Sequence, residues 1–565
     1  MRVRSVLAGV LIFGLVAALY LFDLAATPVY LGGDEAHFGV VAHAIAQTGR
    51  NLRGDFLPLF VNLADPLGDK AQPWGDTWYQ PFLFYLTALA VKLLPFSEAA
   101  VRAPAALLGG VVSPLLMFFV AMRLWRNRLQ AMVAALVLAL GPAHLILSRQ
   151  ALDYICPLPF VLAWLWCLIS FAQSGRIAFA AVGGLLLGIG CYSYIASWVM
   201  MPIYLALSWF VFYRAGRTAT RGQVGEAGFV KPAAAATIGF ALPVIVLVPW
   251  LWMNPQMLRE TVARYSLSDQ EQVSRSRTPG DASLAQVVGR TLAAYVSYFN
   301  PVTLFARGGP SMTTSTNRTG VFLLPVAVWL PAGLYVLWRR PADPKTLPPP
   351  RGALRRTSGR GTLVDTAGIH WVLLAGLLTA PIPAAVKGEP DMVQRALYMI
   401  PFAALISAMG FALMWHAKRR IVRLATVLLL LVAPIQFAGF YFDYFTHYKF
   451  RSAFYYDPVA FRDVAQYLFD QGPAPAYYFA DDLDDAGAKW RFYTIKHSRQ
   501  DLLARTRYVS LGGSAPATAP SGSFLVMYVD RAKLAALEQP GQWAVVKVIK
   551  DVDQRETAAI LRKVG

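Results

Sequence analysis

The sequence predicts a polytopic α-helical membrane protein of about eleven spans plus juxtamembrane helices, ending in a small extracytoplasmic α/β domain. Three observations predict it. Hydrophobic residues make up 56% of the 565 positions and charged residues only 15%, a membrane-type balance. The net charge of +20 is gathered in segments 123–128, 214–231, 339–360 and 418–423, where Arg and Lys are opposed only by Glu226 and Asp343. That distribution is the positive-inside signature, so the charge excess reads as topology and no nucleic-acid partner is expected. From about 444 onward the long apolar runs give way to shorter ones of strand type.

A span takes about 20 apolar residues. The runs that qualify are 5–25, 100–122, 129–148, 155–173, 177–195, 197–213, 233–253, 320–338, 368–387, 393–415 and 420–442. The first follows Arg2 and Arg4 and reaches Phe22, longer than a usual cleavable leader, so it reads as an uncleaved span. A further run, 81–96, begins at Pro81 and carries Lys92. If it crossed, all four basic segments would lie outside, so it reads as a juxtamembrane or re-entrant helix. The N-terminus is then inside and the C-terminus outside, which makes 1–443 the membrane domain, with outer loops 30–98 and 254–319, and 444–565 the outer domain. In that domain 459–469 reads as a helix, and 524–529 and 543–549 as strands. The segment 341–360, rich in Pro, Gly and Arg, reads as a disordered inner loop. Cys156, Cys167 and Cys191 all stand in apolar runs and read as buried thiols.

Just after the first span comes Leu31-Gly32-Gly33-Asp34-Glu35-Ala36-His37-Phe38. Phe38, Val41, Ala42 and Ile45 follow the helical apolar spacing and Gly49 supplies a stop, so a short helix with acids at its start is expected along the membrane face. Parity puts its acids on the outer side with Asp55, Asp65, Asp69 and Asp76, the turn Ser148-Arg149-Gln150-Ala151-Leu152-Asp153, the loop 254–319, and Lys387-Gly388-Glu389-Pro390-Asp391 leading to Arg395.

Each candidate has a plain alternative. Asp34 stands where a helix N-cap belongs, and capping would also keep its carboxylate ionised. Glu35 is a catalytic candidate or a solvated first-turn acid. Asp153 lies between two apolar runs, where a charge is either used or paired, and Arg149 is at pairing distance in sequence. Arg318 and the other arginines of 254–319 are solvated or clamp a lipid phosphate. Arg395 is a phosphate contact or an interfacial anchor. Trp78 and Tyr79 are site residues or interface aromatics. No Walker motif, dinucleotide-binding glycine fingerprint or HExxH is present.

Asp34-Glu35, Tyr79-Gln80-Pro81-Phe82-Leu83-Phe84-Tyr85, Glu98-Ala99-Ala100-Val101-Arg102-Ala103-Pro104, Ser148-Arg149 with Asp153, Gly190-Cys191-Tyr192-Ser193-Tyr194 and Tyr298-Phe299-Asn300-Pro301 occur in an order that resembles a known family. It is the polyprenyl-phosphate-sugar-dependent glycosyltransferases of the GT-C fold, in particular the protein mannosyltransferase and aminoarabinose transferase group. The resemblance covers roughly residues 1–440 and weakens after 320. It implies inverting transfer of a sugar from a polyprenyl-phosphate carrier to an envelope glycan, lipid or protein on the outer side of the inner membrane. It also implies that Asp34 is the base or acceptor-orienting group and Asp153 a second acid. Two departures stand out. Gln80-Pro81-Phe82 occupies the place of a Lys-Pro-Pro run, and His37 the place of an Arg, which removes two phosphate contacts the resemblance would supply.

The chemistry needs a base at the acceptor hydroxyl and cations at the departing phosphate. Asp34, Glu35 and Asp153 are the catalytic candidates, and His37, Tyr79, Gln80, Arg149, Arg318 and Arg395 the substrate-binding ones. Two outer acids can also take a divalent metal, though no ligand spacing demands one and no cofactor is certain. Besides donor and acceptor, membrane lipids are the expected partners. The rival readings are a lipid-sugar flippase, favoured by the helix-breaking Pro381-Ile382-Pro383, and a non-catalytic membrane scaffold.

Overall fold

The computed structural model describes residues 2–63, 78–218, 227–265, 284–339, 367–511, 518–538 and 542–564. Asp65, Asp69, Asp76 and the segment 341–360 lie outside the described residues. The chain forms two compact units: 1–20, 106–148 and 153–441 in the first, and 21–105, 149–152 and 442–565 in the second.

The first unit is helical. Among the described residues of the whole chain, six helices are long and apolar enough to cross a membrane, or seven if Arg128–Ala139 and Pro142–Ser148, bent by 59°, count as one span. The eleven spans expected from the sequence are therefore not confirmed. Ile177–Gly190, Leu324–Arg339 and Met399–Trp415 are among the shorter apolar helices. The causes of shortening are local. The 129–148 run breaks at Gly141-Pro142, and the 393–415 run opens with a 3-10 turn, Val393–Ala396, before its helix begins. Where glycine faces glycine the helices approach closely: a Cβ on Gly410 would meet the Trp329 carbonyl, and one on Gly333 the Ile406 carbonyl. Gly368–Val386 counts as one candidate span by length and composition, but its helix is interrupted by a turn at 380–381 and restarts at Ile382–Val386 with Pro381 as N-cap.

The second unit joins the loop that follows the first apolar helix to the C-terminal domain. In the loop, strands β1 (Val61–Asn62) and β2 (Trp78–Tyr79) pair antiparallel, with Val61 opposite Tyr79. The helix Pro81–Leu93 follows at once, with Gln80 as N-cap and Pro81 where its missing N–H costs nothing. This is the apolar run that parity kept out of the span count.

The C-terminal domain carries a five-stranded sheet in which, from edge to edge, strand 506–509 is followed by 477–480, 524–528, 556–563 and 543–550. Its strands are β3 (Tyr477–Ala480), β4 (Thr506–Val509), β5 (Phe524–Tyr528), β6 (Trp543–Lys550) and β7 (Glu556–Lys563). β3 runs parallel to both β4 and β5, while β7 runs antiparallel to β5 and β6. β5 is almost wholly apolar and buried, as a central strand must be. The strands read from 524–529 and 543–549 are present, and the helix read from 459–469 is Phe461–Asp470. Asp457 organises its start: the two carboxylate oxygens accept from Val459 and Phe461 backbone N–H at 3.1 and 2.6 Å, and Oδ1 also from Lys489 Nζ at 2.9 Å. Both charges of this pair are buried, a placement that is tolerated only when they are matched.

Candidate active site

The expected helix is present as Gly33–Thr48, and Gly49 stops it with φ 69°. Glycine is required there because a positive φ strains any side chain. The N-cap is Gly32, not Asp34 as the sequence suggests. Glu35 closes the first turn instead, its Oε2 accepting from the Gly32 N–H at 3.0 Å. Asp34, one residue inside the helix start, stands exposed.

Glu35 points the other way and is 1% exposed. Its Oε1 accepts from Arg102 Nε at 2.9 Å and from the Ala151 N–H at 2.8 Å, and its Oε2 from Arg102 Nη2 at 2.9 Å besides Gly32. A carboxylate offers about four acceptor positions, and all are taken. Glu35, one of the catalytic candidates read from the sequence, thus has its acceptor positions occupied by Arg102, Gly32 and Ala151. Its work is to hold the helix start. Arg102 is fully buried and uses all its donors. Nη1 binds the Leu24 and Pro28 carbonyls at 3.0 and 2.9 Å, and Nη2 also binds the Tyr30 carbonyl at 2.9 Å. One guanidinium thus ties together segment 24–30, the helix start and, through Glu35, the turn at Ala151.

Tyr79 reaches Asp34, its hydroxyl donating to Oδ1 at 3.2 Å. The β1–β2 pairing sets its position, and its ring lies edge-on to Phe38 at 5.3 Å, which in turn stacks on Phe84 at 4.2 Å. Gln80 is buried as the N-cap of the next helix, and its Nε2 has no partner among the described residues. His37 is buried and places Nε2 3.5 Å from Asp485 Oδ1. Burial pushes the Asp485 carboxyl up, but the His37 hydrogen bond and the Lys489 charge outweigh it, and the net direction is below the ordinary carboxylate value. Arg149 is fully buried, donates through Nη2 to the Asp23 and Thr27 carbonyls at 3.1 and 3.0 Å, and lies 4.8 Å over the Phe445 ring. It packs the turn at 149–152 against segment 23–27 and the 442–456 region, and Gln150 adds a 2.9 Å bond to the Tyr456 hydroxyl.

Asp153, Arg318 and Arg395 fall in the first unit. Asp153 opens a 3-10 turn, Asp153–Ile155, and is buried. Tyr154 meets Tyr194 edge-on at 5.4 Å, and Ser193, Ser197 and Tyr398 form a hydroxyl chain with steps of 3.2 and 2.7 Å. Arg318 is exposed. Arg395 is half-buried and ion-paired with Glu389, which also holds Lys387 Nζ at 2.7 Å. The Tyr298 hydroxyl donates to the Glu389 carbonyl at 2.6 Å and accepts from the Met392 N–H at 3.2 Å, while Thr303 donates to Asp391 at 3.2 Å. Tyr298 of the Tyr298-Phe299-Asn300-Pro301 motif therefore ties down the 389–392 loop.

Among the described residues no three His, Cys, Asp or Glu side chains gather as a metal site. Sequence reasoning missed Arg102 as a site residue, although a lone Arg in an apolar run is a signal in itself. It also missed Asp485, for which the acidic run Asp481-Asp482-Leu483-Asp484-Asp485 gave no hint of a link to His37.

Residues 73–250 match the family model described as dolichyl-phosphate-mannose-protein mannosyltransferase. No curated protein sequence matches the chain. Among solved structures, ArnT from Cupriavidus metallidurans in the apo state aligns at a TM-score of 0.55 and 13% identity, over 99% of this chain and 98% of that one. The same ArnT bound to undecaprenyl phosphate aligns at 0.51 and 12% identity, over the same shares. The resemblance read from the motifs is borne out: the fold is the GT-C fold, in a multi-pass membrane protein.

Proposed function

We propose, from the premise that this chain carries the fold of the GT-C polyprenyl-phosphate-sugar glycosyltransferases, that it transfers a sugar from a polyprenyl-phosphate carrier to an envelope glycan, lipid or protein on the outer side of the inner membrane. The observation that carries the reading is the contrast between two adjacent acids. Glu35 is saturated and buried, and its bonds fix the helix start from which Asp34 projects, exposed and oriented by Tyr79. A fixed, accessible carboxylate beside a tyrosine hydroxyl is what a general base for an acceptor O–H requires.

In this reaction Asp34 takes the acceptor proton as the acceptor oxygen forms its bond to the sugar C1. The C1–O bond to phosphate breaks on the opposite face, the phosphate leaves with the electron pair, and the configuration inverts. Arg395 is the proposed contact for the carrier phosphate, with Glu389 keeping its guanidinium in place until the lipid arrives. Asp153 and Arg318 are further candidates for acceptor and donor. That the ArnT of C. metallidurans was captured with undecaprenyl phosphate supports a lipid phosphate as carrier here.

Mass analysis of envelope glycolipids and glycoproteins from a deletion strain tests the proposal. Loss of one sugar modification, restored by the wild-type gene and not by Asp34→Asn, is the expected result. An unchanged set of glycoconjugates in the deletion strain would overturn it.

A further inference from the structure

The helix that carries Asp34 is held from two sides, and only one of them is the Glu35–Arg102 pair. On the other side stands the C-terminal domain, within the same compact unit. Gly33 is the first residue of the helix, and a Cβ built on it would collide with the Asp485 carboxylate. One turn on, His37 reaches the same carboxylate at 3.5 Å. Further along, a Cβ on Gly39 would lie 3.0 Å from the Phe492 ring, so the helix Ala486–Lys496 packs closely on this one. Asp485 itself adopts φ 52°, ψ 30° at the start of that helix, a left-handed conformation that a non-glycine residue keeps only when its surroundings hold it. Lys489, next in the same helix, binds Asp457 and the Asp484 carbonyl at 2.9 and 3.1 Å and so anchors the Asp485 turn.

We propose that Asp485 is a positioning residue for sugar transfer, acting through Gly33 and His37 on Asp34, so that the C-terminal domain is a working part of the catalytic site. The inference rests on Asp34 as base. An anionic side chain against the first turn complements the positive end of the helix, and the His37 contact fixes its rotation. Asp34 lies between these two contacts in sequence, so any tilt or turn of the helix moves its carboxylate. A misplacement of about 1 Å costs on the order of 10²-fold in rate.

Two substitutions keep the backbone at ease. Asp485→Gly suits a positive φ and removes the carboxylate; Asp485→Asn tolerates that φ and keeps an acceptor for His37 while losing the charge. A third, Gly33→Ala, introduces the collision, and pairing it with Asp485→Gly removes it. Full-length variants in native membranes, supplied with sugar-labelled polyprenyl-phosphate lipid extracted from the same cells, give initial rates against donor amount. Asp485→Gly should lower kcat by about tenfold or more with donor KM within about twofold, since the residue acts on the base and not on the carrier. Asp485→Asn should retain more activity than Asp485→Gly. Gly33→Ala with Asp485→Gly should stay as slow as Asp485→Gly alone. Wild-type kcat in Asp485→Gly, or in the double variant, would overturn the proposal, because Asp485 would then only fill space. Asp34→Asn in the same assay separates the two ideas: if it is dead while Asp485→Gly is normal, only the positioning role fails, and if it is active the base assignment itself fails.

Discussion

Asp34 and Glu35 are neighbours with opposite fates, and hydrogen-bond capacity decides which does what. Every acceptor position of Glu35 is filled, and Arg102 spends all its donors on Glu35 and three carbonyls. Removing one member of such a buried pair leaves an unmatched charge, at about 3–5 kcal/mol. Arg102→Met should therefore lower the Tm of the purified protein substantially, and so should Glu35→Gln, because Gly32 and Ala151 bond to different carboxylate oxygens and the amide has only one acceptor oxygen, while the buried Arg102 charge loses its partner. An unchanged Tm in Arg102→Met would contradict this role. Asp34→Asn should leave Tm nearly unchanged, since the N-cap is Gly32 and Asp34 is exposed. Sequence alone could not separate the two acids. Both fit a first helical turn, and the partner that tells them apart, Arg102, stands 67 residues from Glu35.

At the scale of elements, most boundaries were legible because they rest on local chemistry. Gly49 ends its helix with a positive φ, Pro81 begins one, and the apolar run of β5 forms a central strand. What the chain pattern hid was tertiary: Gly32 takes the N-cap because Glu35 folds back to it, and the first loop joins the C-terminal domain through Asp485. The Tyr298 motif is similar. Its order in the sequence is visible, but its task, bonding to Glu389 and Met392, is not. Tyr298→Phe removes both bonds, each worth about 0.5–1.5 kcal/mol, and loosens the loop that leads to Arg395. It should weaken binding of undecaprenyl phosphate by the purified protein several-fold, and Arg395→Ala should weaken it further. Arg395→Lys should fall between wild type and Arg395→Ala, because Lys lacks the planar fork. Unchanged affinity in Arg395→Ala would return that residue to an interfacial anchor.

At the scale of the whole molecule, composition and charge placement foresaw a multi-pass membrane protein, while the number of spans did not follow from apolar run length. Proline, glycine and 3-10 turns cut several runs into shorter helices, as at Gly141-Pro142 and Val393–Ala396. Orientation is a separate prediction from the positive-inside pattern. A cysteine placed at position 350 should resist an impermeant maleimide added outside, and one at 515 should react; the reverse pattern would invert the proposed topology. The central claim is chemical, and the most direct measurement is transfer itself. Purified full-length protein, mixed with sugar-labelled polyprenyl-phosphate lipid and native envelope acceptors, should move label into an acceptor. Asp34→Asn should bind undecaprenyl phosphate as wild type does yet lose on the order of 10²–10⁴-fold in transfer rate. Transfer by Asp34→Asn at the wild-type rate would contradict the account.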